Sequence, residues 1–166
     1  MKTYFGSKGY TLLKSDLTDI EIQKIKTDLK VIPKTLGAPC SIHKYYLVYR
    51  ESPNKLYVPH YYGVAKFGPP SEIKLSEGDN INLQFNGSLR PIQNDVINAY
   101  INSVTKNGYG GGLLELRCGG GKTVCGLNII SILKKKTLII VHKEFLMNQW
   151  IERIHDFLPN SRIGTI

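Results

Sequence analysis

Residues 113–123 read Leu-Leu-Glu-Leu-Arg-Cys-Gly-Gly-Gly-Lys-Thr, an apolar run, a glycine cluster and a Lys-Thr pair in that order. Glycines lack the Cβ atoms that would hold an anion away from the backbone. The N–H groups around Gly119, Gly120 and Gly121 can therefore converge on a phosphate. Lys122 can then reach the β and γ phosphates, and the Thr123 hydroxyl can ligate Mg²⁺ carried by the nucleotide, with Arg117 and Cys118 bordering the loop. The general pattern GxxxxGK[ST] asks for glycine at position 116, where this chain has Leu116. A glycine-rich turn followed by an accidental Lys-Thr is the plainer alternative; the strand expected before the loop and the helix expected after it argue for phosphate binding. Cys118 has no His-Asp or His-Asn partner pattern, so it reads as a small residue in a tight loop rather than a reactive thiol.

The surrounding pattern supplies the elements that must position this loop. Residues 113–116 form a short apolar strand, residues 124–133 a helix, and Thr137-Leu138-Ile139-Ile140-Val141 a run suited to a buried strand. Residues 144–158 form the next helix, with Leu146, Met147, Trp150, Ile151, Ile154 and Phe157 on its apolar side and Pro159 closing it. Trp150, on that apolar side, reads as core rather than as a base-stacking ring. Ahead of the loop, Ile92, Val96, Ile97, Tyr100, Ile101 and Val104 trace one face of a helix that ends near Asn107 and Gly108. The alternation predicts an α/β fold, a parallel sheet with crossover helices, over residues 87–166. It offers too few strands for a complete doubly wound sheet, so this domain is expected to be truncated.

Residues 1–86 have another texture and read as a small α+β module. After a polar start, Ser15 and Asp16 stand where a cap would, and Ile20, Ile22, Ile25 and Leu29 follow at mostly helical spacing until Pro33. Tyr, Val and Ile interrupted by Pro and Gly place strands at 45–50, 56–60 and 81–85. The tyrosines here, Tyr45, Tyr46, Tyr49, Tyr57, Tyr61 and Tyr62, fit either contact with bases or the alternating core of a sheet.

Twenty-two Lys and Arg against 13 Asp and Glu give a net charge of +9, which favours polyanions without choosing among them. Hydrophobic residues at 42% and charged residues at 21% are ordinary for a packed core and argue against disorder. Cys40, Cys118 and Cys125 are odd in number and lack CxxC spacing, so neither a disulfide framework nor a zinc site is indicated. No apolar run approaches the ~18 residues of a membrane helix. The protein is expected to be intracellular and soluble, with no membrane partner.

Three segments in order carry a family likeness: Leu89-Arg90-Pro91-Ile92-Gln93, Arg117 to Thr123, and Thr137 to Val141 with Gln149-Trp150 downstream. Together they resemble superfamily 2 helicases, whose phosphate loop often reads Cys-Gly-x-Gly-Lys-Thr without the early glycine, which accounts for Leu116. Within them the likeness is to the branch of the repair and transcription helicase XPB and the helicases of large DNA viruses. It covers roughly residues 89–166. A weaker match runs through Tyr57-Val58-Pro59-His60-Tyr61-Tyr62-Gly63 and Phe67-Gly68.

The resemblance implies an incomplete RecA-like domain that binds ATP with Mg²⁺. It implies Gln93 at the adenine edge, where an amide offers a donor and an acceptor together. It also places His142 and Lys143 in a motif that touches the nucleic-acid backbone, beyond the strand at 137–141. The implied partners are DNA or RNA, with transcription or repair machinery, and the implied setting is nucleus, cytoplasm or a virus factory. Lys134-Lys135-Lys136 precedes the 137–141 strand, opposite the expected ligand face, and reads as a solvated turn. The family's acidic motif and the arginines of a second RecA-like domain do not follow Thr123, so these residues alone are expected to be inactive and to form the front of a longer ATP-dependent helicase. The alternative is a non-catalytic module for nucleic acid or protein with an idle phosphate loop.

Overall fold

A computed structural model describes residues 2–32, 45–105 and 110–166. Cys40, Pro33 and the helix end near Asn107 and Gly108 lie outside the described residues. The chain is mixed α/β and divides into two compact units, Met1–Ser76 and Glu77–Ile166. Among the described residues no helix is long and apolar enough to cross a membrane.

The first unit is built on the residues that open the chain. Strands β1 (Thr3–Gly6) and β2 (Gly9–Leu13) form an antiparallel hairpin through Ser7 and Lys8, where the sequence reads as merely polar. Further along come β3 (Lys30–Val31), β4 (Tyr46–Leu47), β5 (Arg50–Glu51), β6 (Lys55–Val58) and β7 (Glu72–Ile73). The main sheet runs β5-β6-β2-β1-β7, antiparallel except for the parallel β1–β7 pair, while β3 and β4 form a separate ribbon. The register Tyr10↔Val58 and Leu12↔Leu56 puts these four side chains on one face. They are buried there with Ile25 and Leu29 of helix α1 (Asp19–Asp28) and its end. Helix α2 (His60–Phe67) packs beside them, with Gly63 so close to the Tyr10 ring that a Cβ would overlap it.

Three expectations for this unit change. The cap of α1 is Thr18, not Ser15 or Asp16, which lie in a preceding 3₁₀ turn. Thr18 Oγ1 accepts from Glu21 N at 3.3 Å and Glu21 Oε2 accepts from Thr18 N at 2.8 Å, a reciprocal box that Ser15 has no partner to form. Ile20 is 82% exposed, so the buried stripe of α1 is narrower than its spacing implied. His60 starts α2 instead of ending a strand, because Pro59 supplies no ladder N–H and leads into the first helical turn.

The second unit contains α3 (Pro91–Thr105), α4 (Lys122–Leu133) and α5 (Glu144–Phe157), close to the predicted helices. Ile97, Cys125 and Ile129 form its buried cluster, with Leu114, Leu116 and Leu133 packed against it. Residues 113–116 and 137–141 keep the alternation of strands: Leu114, Leu116, Ile139 and Val141 are half-buried while Leu113, Leu138 and Ile140 are 90%, 73% and 84% exposed. Neither segment carries ladder hydrogen bonds among the described residues; at 81–85 Ile81 N donates to Lys134 O at 2.9 Å beside the isolated antiparallel bridge Asn80↔Lys135, and no strand forms there. One face lies on the helices and the other is bare, so this is a partial RecA-like arrangement in which these strand positions have no neighbouring strand among the described residues. Gly126 of α4 would bring a Cβ to 3.2 Å from Trp150, which places that indole in the α4–α5 contact as expected of a core ring.

Two measurements test the first unit. Thr18→Ala is expected to lower stability by about 1 kcal/mol in chemical denaturation. Glu51 is held between Lys14 Nζ at 2.8 Å and Lys26 Nζ at 2.9 Å. The hydrogen bond from Lys14, then that from Lys26, keeps its carboxyl below the usual glutamate range. A depressed carboxylate stabilises above its unfolded value and loses that contribution as pH falls through its folded value. Melting temperature should thus drop on acidification below about pH 4.5, and less steeply in Glu51→Gln; identical acid slopes would remove the pair from the account.

Candidate functional site

The loop joins residues 113–116 to α4. Gly119 and Gly121 adopt φ values of 72° and 83°, a left-handed region that side-chained residues avoid. Gly121 is the N-cap of α4 and provides no side-chain cap, and the first helical bond runs from Cys125 N to Gly121 O at 3.0 Å. The amides that precede Cys125 in the first turn of α4 have no intrahelical acceptor, which leaves a ring of donors at the positive end of the helix. That arrangement fits a phosphate.

The helix α3 holds this loop. Gln93, 3% exposed, donates from Nε2 to Gly120 O at 3.0 Å and accepts at Oε1 from Arg90 N at 2.8 Å. Arg90 Nη1 adds a longer bond to Gly119 O at 3.4 Å. Within the loop Gly120 N donates to Arg117 O at 3.0 Å, and a Cβ at Gly120 would sit 2.9 Å from that oxygen. A Cβ on Gly121 would collide with Gln93 Nε2. Glycine is therefore required twice over at 121, by backbone angle and by the close approach of the amide.

Lys122 folds back, its ammonium donating to Leu116 O at 2.9 Å and Arg117 O at 3.3 Å. A cation resting on loop carbonyls is within the loop's own span, and those neutral acceptors compete poorly with a phosphate. Thr123 is half-buried in the first turn of α4, and its hydroxyl has no hydrogen bond among the described residues. The loop donors, Lys122 and Thr123 thus fit a nucleoside triphosphate and the Mg²⁺ that accompanies it. Cys118 is exposed; Cys125 is fully buried in the helix cluster, where burial raises its thiol pKa and makes it inert.

Of the residues singled out from sequence, the structure brings together Gln93, Arg117, Cys118, Gly119, Gly120, Gly121, Lys122 and Thr123. His142 and Lys143 are both exposed at the start of α5, with Lys143 as its N-cap, and neither makes a hydrogen bond to the loop among the described residues. Lys135 and Lys136 lie 3.9 Å and 3.8 Å from Glu77 and Asp79, as a charged surface turn would. The sequence reading missed the clamp. Its signal was Pro91 at the first helical position with Gln at the third, the arrangement in which a side chain reaches back to the cap N–H. Gln93→Leu should leave Gly120 O and Arg90 N unpaired and cost about 1–3 kcal/mol in denaturation. Hydrogen exchange should quicken at the amides of residues 119–122; unchanged exchange would mean the loop holds its shape without α3.

The profile of the family described as "Type III restriction enzyme, res subunit" matches residues 86–166, the stretch that contains the loop and its clamp. A candidate ATP-dependent RNA helicase of Acanthamoeba polyphaga mimivirus is 35% identical over all of this chain and 33% of its own length. A candidate helicase of Frog virus 3 is 32% identical over 67% of this chain and 25% of its own length. The DNA 3'-5' translocase XPB2 of Sulfurisphaera tokodaii is 33% identical over 59% of this chain and 22% of its own length. The chain spans a third or less of these relatives, and the mimivirus match extends through the front unit as well as the loop. With the phosphate-loop geometry, these matches are consistent with the superfamily 2 helicases, in the branch of XPB and the helicases of large DNA viruses.

Proposed function

We propose that the intact protein is an ATP-dependent helicase or translocase acting on DNA or RNA. The observation that carries this reading is the glycine loop at the N-terminus of α4, pinned by Gln93 and followed by Lys122 and Thr123. The three named relatives include an RNA helicase candidate and a DNA translocase, so they support nucleic acid as the partner class without choosing the polymer.

Each residue is assigned a role by its chemistry. Amides of Gly119, Gly120 and Gly121, bordered by Arg117 and Cys118, take phosphate oxygens, and Lys122 exchanges its carbonyl partners for the more strongly accepting phosphates. Thr123 offers a hydroxyl to Mg²⁺. Gln93 has used one N–H and one lone pair in the clamp, and its second donor and acceptor are assigned to the adenine edge. Because Gln93 is so deeply buried, that contact links base binding to the set of the loop. His142 and Lys143 are assigned to the sugar-phosphate backbone, contacts that set position along a strand rather than sequence. Bound nucleotide with Mg²⁺ supplies the phosphoryl group whose transfer to water drives the cycle, catalysis being mainly positioning and charge neutralisation. Hydrolysis is assigned to the intact protein, and these 166 residues alone are expected not to turn over.

The test is ATP hydrolysis by the intact gene product with and without single-stranded DNA or RNA. Stimulated turnover is expected, and Lys122→Ala should reduce it by at least ~100-fold. Gln93→Ala should chiefly raise KM for ATP. Absence of turnover with every polymer would sink the reading, and turnover indifferent to nucleic acid would reduce it to a general phosphate-loop ATPase.

A further inference from the structure

The sheet of the first unit has one face in the core, and the opposite face has an unusual composition. The register Tyr4↔Thr11 and Thr11↔Tyr57 aligns these three side chains across β1, β2 and β6, opposite to the core set, with the two rings half-buried and Thr11 covered at 1% exposure. Arg50 continues the row beyond Tyr57, and Glu72 ends it beside Tyr4. Three lysines lie over the two rings: Lys8 Nζ is 5.1 Å from the Tyr57 centroid, while Lys55 and Lys74 are 5.5 Å and 4.6 Å from that of Tyr4. Glu72 is the acid of this row and pairs with Lys74 at 3.2 Å. Four cations thus stand against one carboxylate.

The surface is also concave. Two shallow depressions share Lys8 and Tyr57; one continues to Arg50 and the other to Tyr4 and Lys74. Basic and aromatic side chains line each of them. Burial raises the Tyr4 phenol, yet hydrogen bonds with Lys55 and Thr11 and the charges of Lys55 and Lys74 bring it below the usual tyrosine value. An oxygen there is in a field that favours negative charge.

We propose that this face is a track for single-stranded nucleic acid, with phosphates taken by Lys8, Lys55 and Lys74 and bases stacked on Tyr57 and Tyr4. It rests on the nucleic-acid reading given above and adds a second binding surface outside residues 86–166. Contacts of exposed lysines with aromatic rings are weak, so the ammonium groups can transfer to phosphates while the ring faces open to bases. Aromatic platforms set in a basic groove bind strands with little sequence preference, because every base has a π face. Charge complementarity selects a polyanion, and the half-buried rings select one with bases.

The test is fluorescence anisotropy of the full chain with labelled oligothymidine and oligouridine over a salt series. The variant Lys8→Ala/Lys55→Ala/Lys74→Ala should weaken binding by tenfold or more. It should also flatten the dependence of log K on log salt by about 2, at roughly 0.7 per lost phosphate contact. Tyr57→Leu should weaken binding where Tyr57→Phe does not. Binding that survives the triple variant and falls instead with His142→Ala/Lys143→Ala would overturn the track and leave the nucleic-acid reading intact. No binding of either oligomer, or binding only to phosphatidylserine vesicles, would also overturn it; the ATPase measurement then judges the wider reading separately. As a check independent of variant folding, 4-thiouridine oligomers cross-linked to the unaltered chain should label peptides containing Tyr4 and Tyr57, and labelling confined to the 142–143 peptide would refute the proposal.

Discussion

A carbonyl buried inside a glycine turn must be paired, or the turn opens to water. In this protein the Gly120 carbonyl is paired by Gln93, whose amide also closes on the N–H of Arg90. Much of the second unit depends on that bond. It sets the first turn of α3 against the loop, it excludes any side chain at 121, and it leaves the α4 amides pointing outward because the carbonyl side of the turn is already occupied. The Ile97, Cys125 and Ile129 cluster then holds α3 and α4 together behind it. A glycine loop held this way is organised before any ligand arrives, which lowers the ordering that phosphate binding would have to impose.

The same arrangement gives Lys122 a resting place. Its ammonium is held by Leu116 and Arg117 carbonyls rather than by a carboxylate. A carboxylate partner would neutralise the charge that a triphosphate needs; a pair of neutral oxygens steadies the side chain and keeps the field positive. Gln93 joins α3 to the loop chemically, since one amide both accepts from the Arg90 N–H and donates to the Gly120 carbonyl.

In the first unit the governing constraint is the period of two along a strand. Tyr10, Leu12, Leu56 and Val58 occupy one parity and fill the core, so Tyr4, Thr11 and Tyr57 must occupy the other. Gly63 lets α2 approach the Tyr10 ring closely enough to seal the buried face. A small sheet whose inner face is saturated in this way can vary its outer face without loss of folding, which is where lysine and tyrosine accumulate.

By itself the sequence determined what local chemistry dictates. The spacing of Ile92 to Val104, the Gly-Gly-Gly-Lys-Thr run and the apolar stripe ending at Phe157 marked three helices and a glycine turn, because helical period, glycine and proline act within a few residues. The same locality explains the misses: Thr18 with Glu21 was a legible capping box passed over for Ser15, and the opening hairpin was hidden because two short strands gain their meaning only from β6 and β7. Tertiary structure alone decided that Gln93 is buried rather than solvated, since its partner lies 27 residues away. It likewise decided that Leu113, Leu138 and Ile140 are bare on one face, and that Tyr4 and Tyr57 share a face with three lysines. Such facts depend on which distant segments become neighbours, and no window along the chain contains them.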